Sequence, residues 1–273
     1  MPSLDALILG GGPAGSTAAR LLSQWGYSVA IATGPATRHS MAECLPPSTC
    51  KVLRFLGIED AVAAAGFLRT KGNTVWWGGS RRRVEPYPEG NGYQVPRREF
   101  DRLLLGLAQA AGARVLAPSV PRPKARFVLD CSGRAGVLAR AYRVTPKDSR
   151  TVALCGVWRS DAGWRLPDAS HTLVEAYGDG WAWSVPLSAT VRQMAFMVDP
   201  AETRLTRGGG MVRLYLTELA KTRALRRIFA RASMTGAPWG RDASAYTSKQ
   251  FGGPGFLLVG DAGSCIDPLG RCP

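Results

Sequence analysis

The chain has 273 residues, 45% of them hydrophobic, with 35 basic side chains against 20 acidic ones and a formal net charge of +15. That is enough chain for one large domain or two small ones with a sizeable core, and no apolar run reaches the roughly 18 residues a transmembrane helix needs. Six scattered cysteines without a Cys-x-x-Cys pair, and only two histidines, argue against a metal site and fit a reducing cytoplasm. In chain order, Leu4–Leu9 is a short apolar run ending in glycines and reads as a buried parallel strand. Pro13–Trp25 has helical spacing, Gly26 breaks it, and Ser28–Ala32 reads as the next strand. Pro47–Leu56 reads as a helix with proline near its start. Thr74–Trp77 and Arg83–Tyr87 read as a hairpin around Gly78-Gly79. Arg98–Ala111 is an amphipathic helix with Phe100, Leu103, Leu104, Leu107 and Ala108 on one face, and Ala125–Leu129 is an apolar strand. From Thr151 the character changes. Thr151–Trp158, His171–Tyr177, Trp181–Pro186 and Arg192–Val198 read as antiparallel strands joined by Gly, Asp and Pro turns. Met211–Arg231 reads as one helix, basic on its outer face, and Gly255–Val259 as a last parallel strand.

The expected fold is therefore α/β: a Rossmann-like dinucleotide-binding domain formed by residues 1–150 and 245–273, with an antiparallel sheet and helix, residues 151–244, inserted on the substrate side. The basic charge does not point to nucleic acid. Most arginines stand singly on amphipathic segments, and the only tight cluster is Arg81-Arg82-Arg83. The same charge favours a polyanionic cofactor.

Gly10-Gly11-Gly12-Pro13-Ala14-Gly15 is a G-x-G-x-x-G between a strand and a helix. Gly10 permits the tight turn, Gly12 admits a pyrophosphate to the backbone, and Gly15 lets the helix approach the strand. Pro13 and Ala14 open that helix, whose positive end faces the phosphates. The second strand of such a unit usually ends in an acid that binds the ribose; here the position holds Thr33, which lacks the charge. Near the other end, Leu257–Gly263 is a strand running into Gly260-Asp261-Ala262, where Asp261 accepts bonds from ribitol hydroxyls. Two cofactor strands so far apart favour FAD over NAD. Arg126–Arg134 is a strand ending in small residues that let a cofactor pass close. Arg97, opening a helix, is a candidate partner for the cofactor phosphate.

In this order the elements resemble the para-hydroxybenzoate hydroxylase-like group of FAD enzymes. Gly180-Trp181-Ala182-Trp183-Ser184-Val185-Pro186-Leu187 is similar to the G-W-x-W-x-I-P motif of flavin-dependent halogenases, with Val185 for Ile. Ala42-Glu43-Cys44-Leu45-Pro46-Pro47 resembles their G-E-S-L-x-P segment, and Phe67–Gly72 the segment carrying their essential lysine, which would be Lys71. The resemblance implies that reduced FAD and oxygen oxidise halide to hypohalous acid, which crosses a tunnel walled by Trp181 and Trp183. Lys71, an amine held near apolar surfaces, would then direct it onto an electron-rich ring. It also implies a small aromatic substrate, or an aromatic side chain on a carrier or peptide. No second G-x-G-x-x-G stands ready for NADPH, so a separate flavin reductase is the expected electron source.

The sequence departs from the family after Gly-Asp-Ala. The family's F-x-x-P-x-S-S-x-G becomes Cys265-Ile266-Asp267-Pro268-Leu269-Gly270-Arg271-Cys272-Pro273: Pro268 keeps the family's proline at the cofactor, while Phe, Ser-Ser and the final Gly are lost. The chain reads as a truncated, frameshifted or partial member. Two other readings stand beside halogenation: an FAD-dependent aromatic hydroxylase, and a non-catalytic FAD-binding remnant.

Overall fold

A computed structural model describes residues 4–34, 41–78, 81–117, 119, 122–146, 150–201, 203 and 210–266. The chain divides into two compact units: residues 1–40, 98–149 and 244–273, and residues 41–97 and 150–243.

The first unit is built on β1 (Leu4–Leu9), whose last four residues are buried, as expected of a strand covered on both faces. It pairs in parallel with β2 (Val29–Ala32) and with β9 (Ala125–Asp130). The sheet continues in parallel to β8 (Arg114–Leu116) on one side and β19 (Phe256–Leu258) on the other, with the short β18 (Gly252–Gly253) antiparallel at the edge. Helix α1 (Pro13–Gln24) starts on a proline and stops where Gly26, at φ 87°, turns left-handed. Ala19 of α1 and Ala108 of α4 (Arg97–Ala110) pack with Ile8, Ile31 and Leu129 on one face of the sheet. Leu7, Leu9, Ala30 and Leu116 fill the other face. Each of these larger aliphatic side chains contributes about 1.5–3 kcal/mol by leaving water. The ribbon β10 (Arg143–Val144) with β17 (Thr247–Ser248) completes the unit.

The second unit holds two sheets. Strands β3 (Ala42–Leu45), β7 (Gly92–Pro96) and β4 (Leu68–Thr70) form the smaller one. The larger runs β15 (Ser233–Met234), β11 (Val152–Arg159), β14 (Val191–Val198), β13 (Gly180–Pro186), β12 (Thr172–Tyr177), β5 (Gly72–Trp76) and β6 (Arg82–Pro86), with β16 (Trp239–Asp242) also on β11. Leu154, Met194 and Phe196 pack under Tyr215, Leu225 and Phe229 on one face. Helices α2 (Pro47–Phe55) and α3 (Glu59–Ala64) lie in the 41–97 segment.

Three expectations change. The sheet is mixed rather than wholly antiparallel, because β12 pairs in parallel with β5. That pairing carries the 41–97 segment into the second unit, whereas the sequence reading placed it with the nucleotide domain. The helix expected over Met211–Arg231 is two, α5 (Gly210–Lys221) and α6 (Ala224–Ile228). The break is made by buried Glu175, whose carboxylate accepts the backbone N–H groups of Arg223, Ala224 and Leu225 and so starts a new helix there. The β5–β6 hairpin is present as expected, with Gly79 of its turn outside the described residues.

Candidate functional site

The glycines at the start of the first unit are required by contact. Gly10 has φ 109°, and a Cβ there would lie 2.5 Å from the carbonyl oxygen of Cys131. A Cβ on Gly15 would lie 1.9 Å from the carbonyl oxygen of Gly10. The close spacing brings the ends of β1 and β9 together, with the Cys131 N–H donating to Leu9 at 2.8 Å. Gly12 is the N-cap of α1; it has extended backbone, no side-chain cap, and no acid in the first turn. The positive end of the helix is therefore left for an anion.

Gly260 belongs to the same cradle: at φ 63°, its Cβ would stand 3.1 Å from the side chain of Ala14. The two glycine motifs from opposite ends of the chain thus meet. Thr33, just past β2, turns its methyl toward Gly11, where a Cβ would meet it at 3.0 Å. The structure therefore brings Gly10, Gly12, Pro13, Ala14, Gly15, Thr33, Gly260 and Asp261 to one place. The Asp261 side chain is exposed, while its carbonyl accepts the Tyr246 hydroxyl. Pro268 lies outside the described residues.

One residue of this unit escaped the sequence reading. Asp130, fully buried at the end of β9, accepts the Ser132 hydroxyl and the N–H groups of Ser132, Leu138 and Ala139. Burial pushes its carboxyl up, but these bonds outweigh it and hold the group below the usual carboxylate range. It shapes the 132–139 turn beside Gly10. Its signal in the sequence was an acid directly before Cys-Ser-Gly, where a strand gives way to a loop.

The remaining candidates lie in the second unit. Arg97 donates from its guanidinium to Glu43, and its N–H bonds the Met41 carbonyl at 2.9 Å, so its charge already has a carboxylate partner. Lys71 stands between β4 and β5 with its side chain exposed, which differs from the apolar enclosure expected for it. An ammonium costs too much to bury unpaired, and the described residues leave it in water. Trp181 and Trp183 alternate on β13 and share a face with Met41, Cys155, Met197 and Trp239, while Trp77 lies 6.4 Å from Trp181 between ring centroids. Trp239 was not singled out from sequence, because only its pairing with Cys155 places it on that face.

A glycine cradle that a Cβ would fill, with an uncapped helix end beside it, fits an FAD-binding fold, and the residues present fit that cofactor. Residues 3–118 match the family model for the FAD binding domain. A tryptophan 2-halogenase of Chondromyces crocatus is 32% identical, the match covering 98% of this chain and 57% of that protein. The solved structure of the myxobacterial chondrochloren halogenase CndH, a variant of FAD-dependent halogenases, superposes with TM-score 0.88 at 28% identity, over 98% of this chain and 70% of that one. That of the peptidyl tryptophan dihydroxylase QhpG gives TM-score 0.78 at 25% identity, over 98% and 62%. Along almost its whole length the chain is similar to flavin-dependent halogenases, and it spans somewhat over half the length of the curated relatives it matches. No helix among the described residues is long and apolar enough to cross a membrane.

Proposed function

We propose that this chain carries the FAD-binding portion of an enzyme that uses reduced FAD and oxygen to halogenate an electron-rich aromatic ring, free or borne on a carrier or peptide. The observation that carries the reading is β13: a Gly-Trp-x-Trp-x-Val-Pro strand that sets both indoles on one face of the sheet, in a chain that also holds the glycine cradle. Bound flavin would supply the electrons with which oxygen oxidises halide to hypohalous acid. The residues of the chain bind and orient. Gly12, Ala14 and Gly15 present backbone to the pyrophosphate, Thr33 offers a hydroxyl to the ribose, and Gly260 and Asp261 meet the ribitol. Trp181 and Trp183 form an apolar wall, and Lys71 donates hydrogen bonds to the oxidant. A separate flavin reductase would provide the reduced cofactor.

The test is to give the purified chain, and a longer relative as reference, reduced FAD, oxygen, bromide or chloride and an activated aromatic trap. A halogenated product that vanishes without halide is expected from the relative at least. Halide-independent hydroxylation instead would favour the monooxygenase reading, which similarity to a tryptophan dihydroxylase supports. A chain that neither quenches added FAD fluorescence nor turns over would be a remnant.

A further inference from the structure

Two arginines of the first unit lie on one buried tyrosine. Tyr246 stands just before β17 with its ring out of water. The guanidinium of Arg143, on β10, lies over that ring 3.9 Å from its centroid, and that of Arg134 lies over it at 5.0 Å. Backbone acceptors hold both: Arg143 Nη1 donates to the Arg134 carbonyl at 2.8 Å, and Arg134 Nη2 to the Ser244 carbonyl at 2.9 Å. Gly136 allows the close packing, since a Cβ there would stand 2.5 Å from Arg143 Nη2. Nε and Nη2 of Arg143 are buried with no acceptor among the described residues, so the electron-rich ring face is what meets their charge. Two cations this close repel each other, and the ring with its flanking carbonyls is what offsets that repulsion.

The other atoms of Tyr246 hold the 260–265 turn. Its hydroxyl donates to the Asp261 carbonyl. Its own carbonyl accepts the Cys265 N–H at 2.9 Å and the Ser264 hydroxyl at 3.2 Å, and its N–H donates to the Cys265 carbonyl at 2.9 Å. Cys265, where this sequence departs from the phenylalanine of the halogenases it resembles, accepts a bond from Arg134 Nη1 at its sulfur, at 3.1 Å. Tyr246 and Arg134 therefore fix both ends of a turn that begins at Gly260, against Ala14 of the glycine cradle. Burial pushes the Tyr246 hydroxyl up by more than the two arginines lower it, so it stays protonated and able to donate.

We propose that Tyr246, with Arg134 and Arg143 stacked on it, is a positioning residue for the flavin half of the cofactor site, presetting the turn on which Asp261 meets the ribitol. This deepens the FAD-binding reading and rests on it. A turn ordered before the cofactor arrives removes an ordering cost from binding. The clamp therefore acts on affinity for the ribitol and flavin. It leaves the ADP half, which meets Gly12, Gly15 and Thr33, untouched.

The experiment separates the two halves of the cofactor. The full chain is titrated with oxidised FAD by flavin fluorescence and with ADP by calorimetry. Tyr246→Phe keeps the ring and its stacked arginines and removes only the hydroxyl. It is expected to weaken FAD about three- to tenfold, the loss of one hydrogen bond, while ADP stays within about twofold. Arg143→Met should also weaken FAD, and Arg143→Lys, which returns a cation to the ring, should recover part of that loss. In the flavin-free chain, amide exchange at Gly263, Ser264 and Cys265 should speed up in Tyr246→Phe. Where the unaltered chain binds FAD, unchanged FAD affinity in Tyr246→Phe overturns the proposal. Parallel loss of FAD and ADP overturns it too, since a residue that only holds the fold would move both. If Tyr246→Phe does not fold, the two Arg143 variants decide by the same readings. An unaltered chain that binds ADP but not FAD sinks the flavin reading alone, and flat exchange in the variants then overturns the clamp.

Discussion

The two units solve opposite problems. The first makes room: its site is a set of glycines where backbone meets backbone, with an exposed acid and an uncapped helix end at the rim. The second fills space: its sheet carries indoles and thioethers on one face and pins a loop with a buried arginine. A site made of missing side chains fails when anything is added, and a site made of placed side chains fails when something is taken away.

Gly15→Ala is the sharpest break of that contrast. Its methyl would sit 1.9 Å from the Gly10 carbonyl, and nothing there is a flexible side chain that can swing aside. A loss of about 3 kcal/mol or more is expected, with loss of flavin binding, read by thermal melting and by quenching of added FAD. Tight flavin binding by that variant would refute the cradle. Arg192→Met should come next. It leaves the carbonyls of Ala169 and His171 without their donor, at about 1–3 kcal/mol for each buried group left unsatisfied. Flavin affinity should survive it, since the cradle lies wholly in the other unit; parallel loss of both would show that the units do not stand apart energetically.

Asp130→Asn should cost about 1.5–3 kcal/mol near neutral pH, because hydrogen bonds to a charged acceptor are lost. The sign follows from the lowered carboxyl of the folded state: the stabilisation is present above the unfolded value near 3.8 and disappears as pH falls through the folded one. The variant should therefore lose less stability than the parent on acidification below about pH 5, checked by urea melts across pH. The smallest effect is a gain. Thr33→Asp restores a charged acceptor where the ribose is expected, and should tighten FAD binding about tenfold, worth ~1.4 kcal/mol, by fluorescence titration. No change would mean that Thr33 does not face the ribose.

The glycine cradle was legible because its code is local. Gly-x-Gly-x-x-Gly between a strand and a helix dictates a tight turn wherever it occurs, and Gly-Asp-Ala after an apolar strand does the same. Asp130 stayed hidden since its partners, Leu138 and Ala139, become neighbours only when the chain turns back. The β3–β7–β4 sheet was missed for a similar reason: Glu43 opposite Val95 and Leu68 opposite Gln94 are pairings between segments whose own patterns are short and mixed.

The one-dimensional pattern was sufficient for the strand-helix-strand opening, the alternation of Trp181 and Trp183, and the identity of the cofactor, because glycine spacing and a two-residue period act over a few bonds. Tertiary structure alone decided that residues 41–97 join the inserted sheet, that Arg97 faces Glu43, and that buried Arg192 finds the carbonyls of Ala169 and His171. Those outcomes depend on which strand edges find each other and on where a buried charge can find acceptors, and both are properties of the packed chain rather than of any window along it.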